Sequence, residues 1–260
     1  MKPIQKISII GAGCVANFFA KELYGLGYEI LEIISRTEER AGELAKSCHA
    51  KLNIDGFDHM DQSADLYILS VKDDAIMELR KKIKLKDQLI VHTSGTVSSE
   101  VLKKTSSNFG ILYPLQSFSK DYTVSFADVP LFVSANQPDD EERLFSFARK
   151  LNPNVMRISD EKRAVLHLAA VFASNFPNYL LKLSKEILED DDIDFKLLQP
   201  LVRVSMEKAF ISGPEKSQTG PARRGDCSIT DKHQLMLKNE SWKKLYALMS
   251  EMIRKDFKGK

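Results

Sequence analysis

The segment Lys6–Leu23, KISIIGAGCVANFFAKEL, constrains this chain more than any other. Ile7, Ile9 and Ile10 form a short apolar run that reads as a strand buried on both faces. The run leads straight into Gly11-Ala12-Gly13-Cys14-Val15-Ala16 and then into a helical pattern. Gly11 permits the tight turn out of the strand, Gly13 lets the backbone approach a bound group, and Ala16 is small enough for the helix to lie close on the strand. A helix opening near Val15 aims its free N–H groups and the positive end of its dipole at the turn, which suits phosphate. A GxGxxA spacing between a strand and a helix is the dinucleotide-binding fingerprint, so Gly11, Gly13, Cys14, Val15 and Ala16 are expected against a pyrophosphate.

The pattern that follows alternates strand and helix, as in a parallel sheet covered on both faces. Strands are expected at Tyr28–Ser35, near Leu52–Ile54, and at Leu66–Val71, Leu89–Thr93, Gly110–Tyr113, Leu131–Ser134 and Val155–Ile158. Helices are expected at Thr37–Cys48, Asp74–Ile83 and Glu141–Leu151, with Ser35 and Glu38 spaced as a capping box. Past Asp160 the strand signal stops. Glu161–Leu188 is a long helical pattern, apolar all round in its middle, as in a helix buried in a bundle or an interface. Helices at Phe195–Phe210, Ser228–Lys238 and Trp242–Phe257 follow, with a Gly/Pro-rich loop at Gly213–Asp226. The expected fold is α/β, a doubly wound parallel sheet of the Rossmann kind over residues 1–158 followed by an all-helical domain over 159–260. The active site is expected in the cleft between them.

Composition narrows the partners. A net charge of +2 over 260 residues offers no broad basic surface for nucleic acid. Cys14, Cys48 and Cys227 are far apart and odd in number, which fits a reducing cytoplasm rather than a disulfide framework or a metal site. The chain begins almost directly in its first strand, leaving no room for a signal peptide. No apolar stretch reaches the ~20 residues that span a bilayer. A cytoplasmic protein acting on a small molecule, without metal, membrane or nucleic acid, is therefore expected.

Where an NAD-binding strand usually ends in a carboxylate for the ribose hydroxyls, this chain has Ser35-Arg36-Thr37. A carboxylate would repel a 2′-phosphate, whereas an Arg fork and two hydroxyls favour it, so NADP is the expected cofactor. The strand-end segments Ser70-Val71-Lys72 and Ser94-Gly95 should flank its nicotinamide half. Asp73 and Asp74 are expected to cap the next helix.

At 100° per residue, from ~3.6 residues per turn, His167, Val171, Ser174 and Asn178 share a stripe, with Asn175 beside it. Pro177 removes the N–H that would bond the carbonyl of Ala173. A His, a Ser and two Asn beside such a break mark a substrate-facing surface, with His167 as acid–base and Asn175 as an orienting amide. In TGPARRGD, Thr219–Asp226, glycines frame Arg223 and Arg224, which are expected to clamp an anionic substrate. The apolar middle of the central helix is expected to serve a homodimer. Hydride transfer between NADP(H) and the C=O or C=N carbon of a small metabolite is the main expectation. A non-catalytic NADP-binding redox sensor is the alternative.

With these residues identified, the chain resembles the two-domain NADP-dependent reductases, a group that includes pyrroline-5-carboxylate reductase and the deazaflavin-dependent NADP reductases. VHTSG (Val91–Gly95), YPLQSF (Tyr113–Phe118), HLAAVFASNF (His167–Phe176) and TGPARRGD are similar to a branch whose helical half is a domain of unknown function. That branch often has His before Pro-Leu-Gln, where this chain has Tyr113. The His167 segment is also similar to the helix of prephenate dehydrogenases, with Asn175 in place of their second His. An amide cannot take a proton from a substrate hydroxyl, so the prephenate reaction is not expected. Nor is the Lys-x-x-x-Asn pair of 3-hydroxyacid dehydrogenases present. The resemblance implies redox chemistry on NADP and names no substrate.

Overall fold

A computed structural model describes residues 2–54, 56–120, 122 and 124–257. It divides into two compact units, residues 1–175 and 176–260. In the first, eight strands form one sheet in the order β3-β2-β1-β4-β5-β6-β7-β8. They are β1 (Lys6–Ile10), β2 (Glu29–Ile34), β3 (Lys51–Asn53), β4 (Leu66–Leu69), β5 (Leu89–His92), β6 (Phe109–Pro114), β7 (Leu131–Ala135) and β8 (Val155–Arg157). Helices α1 (Cys14–Gly25), α2 (Glu38–Ser47), α3 (Asp73–Leu79), α4 (Pro138–Leu151) and α5 (Asp160–Ala170) accompany them. This is the expected Rossmann-like arrangement, with a helical region after it.

The strands bury both faces because their side chains alternate between two cores. Ile7 and Ile9 of β1 and Leu66 and Ile68 of β4 join Phe19, Leu44, Leu144 and Phe147 on one side. Ile10, Tyr67 and Leu69 join Ile76, Ile83 and Ile90 on the other. Full burial of one such side chain stabilises by about 1.5–3 kcal/mol. Every neighbouring pair is parallel except β6–β7. Hydrophobic patterning marks a strand without marking its direction, so the reversal of β7 is a property of the fold alone. Strand order reverses between β1 and β4, whose last residues, Ile10 and Leu69, are paired in register. The ends of these two strands frame the crevice where open α/β sheets bind ligands.

Four local expectations change. The compact division falls after Asn175, seventeen residues beyond the expected end of the first domain at residue 158, because α5 packs with the sheet through Leu166 and its Arg163 is completely buried. Residues Val171–Asn175 form a π turn rather than a regular α turn, so the uniform 100° rotation does not carry through the stripe drawn from His167. Pro177 supplies no donor for the carbonyl of Ala173, and a wider turn just before it answers that gap. Finally, Lys72, not an aspartate, stands at the N-cap position of α3 and makes no side-chain cap, while Asp73 accepts a hydrogen bond from Thr96 Oγ1 at 2.6 Å. The Ser35–Glu38 capping box is also absent: Thr37 stands at the N-cap position of α2 without a side-chain cap, and Ser35 Oγ accepts from its N–H at 3.1 Å.

The second unit consists of α6 (Phe176–Glu189), α7 (Gln199–Ser212), α8 (Pro214–Ser217), α9 (Pro221–Arg224), α10 (Cys227–Met236) and α11 (Glu240–Phe257). Among its described residues only Leu183, Ala222, Thr230 and Ser250 are buried. Among the described residues, the helical run Asp160–Glu189 alone reaches a mean hydropathy of 1.2 over 18 residues, a length and composition that the core helix of a soluble protein also shows. Its first third is engaged with the sheet through Arg163 and His167, described below.

Candidate active site

Gly11 is held at φ 122°, a conformation that L side chains rarely adopt, and a Cβ there would run into the carbonyl oxygen of Ser70. Its N–H donates to the Ile34 carbonyl at 2.8 Å, which ties the ends of β1 and β2 together. A Cβ on Gly13 would meet nothing within 4 Å. The first glycine is therefore demanded by the fold, and the second leaves room in front of α1. Ala16 is completely buried under the helix, a packing position and not a surface for the ligand.

A cleft of about 550 Å³ opens along this edge. Its lining includes Gly11, Gly13, Cys14 and Val15, the turn Ser35, Arg36 and Thr37, and the strand-end residues Ser70, Val71 and Lys72. Asn53, Ile54, Gly56, Phe57, Thr93, Gln116 and Phe118 are among its other lining residues; none was assigned to the cofactor from the sequence, although Thr93 stands in VHTSG and Gln116 and Phe118 in YPLQSF. No carboxylate lines the cleft among the described residues, while Arg36 and Lys72 do. The nearest acid on β2, Glu32, is turned away. It is fully buried and accepts from Ser8 Oγ at 3.3 Å, Asn53 Nδ2 at 3.1 Å and the Asp61 N–H at 2.9 Å. The open space at Gly13, the helix N-terminus behind it and this cationic lining fit a dinucleotide carrying phosphates.

Ser94 and Gly95, expected beside the cofactor, do not line this cleft; Thr93 does. The Ser94 hydroxyl accepts from the N–H groups of Thr96 and Val97 at 3.1 and 3.0 Å and so shapes the loop after β5. Gly95 is the seat of His167. A Cβ at 95 would collide with His167 Nδ1 and lie 2.7 Å from its Cγ. That imidazole meets Tyr113 from the end of β6: the Tyr113 hydroxyl and His167 Nδ1 are 3.0 Å apart. Tyr113 packs beside Ile111 and Phe132, with Leu115, Ile158 and Leu166 around them. Spacing in the sequence gave no sign of this pair, since 54 residues separate its members.

Two further groups fasten α5 to the β5 loop. Asp160 accepts from Ser98 Oγ at 2.6 Å and from the Ser99 N–H at 2.9 Å, and pairs with Arg163 at 2.7 Å. Arg163 also donates to the Val97 carbonyl. His92, at the end of β5, is completely buried; its Nδ1 accepts from the Ser94 N–H at 3.2 Å. Burial first, and then the charge of Arg163, pull its pKa down to about 4. It is neutral at pH 7, which marks it as a structural group beneath the candidate site.

Asn175 is exposed at the end of the π turn. Arg223 and Arg224 lie in α9, between Gly220 and Gly225 at φ 102° and 75°. The Arg223 guanidinium lies 4.5 Å from the Phe257 ring centre and donates to the Glu215 carbonyl at 3.3 Å. Arg224 pairs with Asp226 at 2.9 Å. The glycines thus shape a turn whose two arginines already have local partners. No group of three or more His, Cys, Asp or Glu able to hold a metal occurs among the described residues.

A family model described as NADP oxidoreductase, coenzyme F420-dependent, matches residues 6–95, and a domain of unknown function, DUF2520, matches residues 129–253. No curated protein matches. Among solved structures, a Bacteroides fragilis protein assigned to the NADP oxidoreductases is 36% identical, with a TM-score of 0.91 over 97% of this chain and 98% of its own. A Thermotoga maritima protein is 26% identical, with a TM-score of 0.71 over 96% and 98%. A Coxiella burnetii pyrroline-5-carboxylate reductase, 16% identical, shares the fold at a TM-score of 0.56 over 98% and 94%. The chain belongs to the family of NADP oxidoreductases that join a coenzyme F420-dependent-type oxidoreductase domain to a DUF2520 domain.

Proposed function

We propose that this protein transfers hydride between NADP(H) and the C=O or C=N carbon of a small, anionic metabolite. The observation that carries the reading is the juxtaposition at the C-terminal edge of the sheet. A cleft lined by Arg36 and Lys72 and by no described carboxylate runs past β4 and β5, and beyond it His167 is held on Gly95 against Tyr113. When bound, the nicotinamide supplies the hydride; the protein supplies orientation and the proton. Gly11, Gly13, Cys14 and Val15 would hold the pyrophosphate, and Ser35, Arg36 and Thr37 the 2′-phosphate. Ser70, Val71 and Lys72 would flank the nicotinamide half. His167 is the acid–base group, since imidazole can both give and take a proton near neutral pH. Asn175 is assigned to orient the substrate, and Arg223 or Arg224 to hold its anionic group.

Calorimetric titration tests the cofactor assignment. Arg36→Ala should weaken NADPH by ~1.5–3 kcal/mol, the range for hydrogen bonds to charged groups, and leave NADH nearly unchanged. Equal losses for both cofactors would refute it. The second unit supports a homodimer, because Phe210, Ile211 and Leu235 are each more than 80% exposed, a pattern that marks an interface. Sedimentation showing only monomer at micromolar concentration would remove that assignment.

A further inference from the structure

We propose that Tyr113 fixes His167 as the Nε2–H tautomer and is the proton reservoir that recharges it during substrate reduction. This rests on the oxidoreductase reading above and adds a residue that sequence comparison left without a role. The Tyr113 side chain is 6% exposed, and its hydroxyl has a single described partner, His167 Nδ1 at 3.0 Å. A buried hydroxyl donates its proton where an acceptor is within reach. Here that acceptor is Nδ1. The ring of neutral His167 therefore carries its own proton on Nε2, the nitrogen not engaged by Tyr113.

This assignment changes the chemistry available above pH 7. A lone histidine acts as an acid only as imidazolium, which disappears as pH rises through ~6.5. The Tyr113–His167 pair has no such limit. Hydride adds to the carbonyl or imine carbon, the π bond breaks, and its electron pair takes the proton from Nε2. As Nε2 releases it, Nδ1 takes the phenolic proton, so the ring stays neutral and exchanges one tautomer for the other. Tyr113 is left as tyrosinate until solvent returns one proton, which completes the balance of one hydride and one proton per turnover. Burial raises the Tyr113 hydroxyl pKa and outweighs the opposing charge of Arg163, so the tyrosinate is short-lived and quickly takes a proton back. The remaining charged groups here do not titrate between pH 7 and 9. Asp160, held below its usual range, is paired with Arg163, and His92 is already neutral.

Tyr113→Phe keeps the ring packing against Ile111 and Phe132 and removes only the hydroxyl. The first measurement needs no substrate. Long-range ¹H–¹⁵N correlation at pH 8 on labelled protein, with His167 assigned by His167→Asn, should show the proton on Nε2 and a hydrogen-bonded Nδ1. In Tyr113→Phe the Nδ1 resonance should move to that of an acceptor without a donor. A proton on Nδ1 in the unmodified protein would overturn the proposal. The second is the pH profile of kcat/KM for reduction. It should be flat from pH 7 to 9 in the unmodified protein, and fall about tenfold per pH unit across that range in Tyr113→Phe, where imidazolium is the only donor left. A profile displaced equally at every pH would mean that Tyr113 only packs, and would refute the relay. The expected tautomer in a protein that reduces no carbonyl or imine with NADPH would instead sink the oxidoreductase reading, leaving the hydrogen-bond assignment intact.

Discussion

Gly95→Ala is the sharpest test of how the candidate site is held. The added Cβ would stand 2.7 Å from Cγ and 3.1 Å from Cβ of His167, where ordinary contact begins at 3.4 Å. Cγ must therefore retreat by roughly 0.7 Å, the difference between 3.4 and 2.7 Å. Nδ1 is met first, but Cγ and Cβ lie on the χ2 axis, so rotating the ring about χ2 does not clear the contact. Either His167 changes χ1 or α5 shifts away from the β5 loop. Both break the 3.0 Å bond to Tyr113. A buried hydroxyl left unpaired costs about 1–3 kcal/mol, and overpacking of this kind adds about 1–3 kcal/mol. Urea unfolding followed by circular dichroism should show a loss of about 2–6 kcal/mol, with the slope unchanged. Gly13→Ala is the control. Its Cβ meets nothing within 4 Å and its φ is −81°, so stability should change by less than ~0.5 kcal/mol. Equal stabilities for Gly95→Ala and Gly13→Ala would refute the seating of His167 on Gly95.

Two further outcomes are expected. His92 has its folded pKa pulled down to about 4, so the unfolded chain binds the extra proton. Stability is then complete above ~6.5 and falls as pH drops from there to about 4, by on the order of 3 kcal/mol. His92→Asn, whose Oδ1 can still accept from the Ser94 N–H, should flatten that slope in unfolding measurements at pH 4.5, 5.5 and 7; an unchanged slope would remove His92 as its source. His167→Asn should lower turnover by ~10²–10⁴-fold once a substrate is known, with NADPH affinity unchanged. A variant that loses stability but keeps its specific activity would show that His167 serves packing alone.

Much of the first unit is legible in the sequence, because its signals are local. Alternating apolar runs locate all eight strands, and GAGCVA states both the turn and the helix start. Direction is not local: β7 pairs antiparallel with β6 although its five residues read like any buried strand. The extent of the first unit is also set by packing. Arg163 looks like a surface residue of a charged helix start, yet it is wholly buried by its bonds to Asp160 and Val97. The cationic end of the cleft follows from Ser35-Arg36-Thr37, whereas the burial of Glu32 depends on partners 24, 21 and 29 residues away.

The sequence by itself determined the nucleotide-binding scaffold, since each of its parts needs only neighbours along the chain: a run of isoleucines, two glycines, a helix. Only the tertiary structure decided what surrounds His167. Gly95 and Tyr113 reach it across 72 and 54 residues, and Tyr113 does so because β6 lies beside β5 in the sheet. A side chain's proton partner is set by which strands are adjacent, and no periodicity along the chain encodes that.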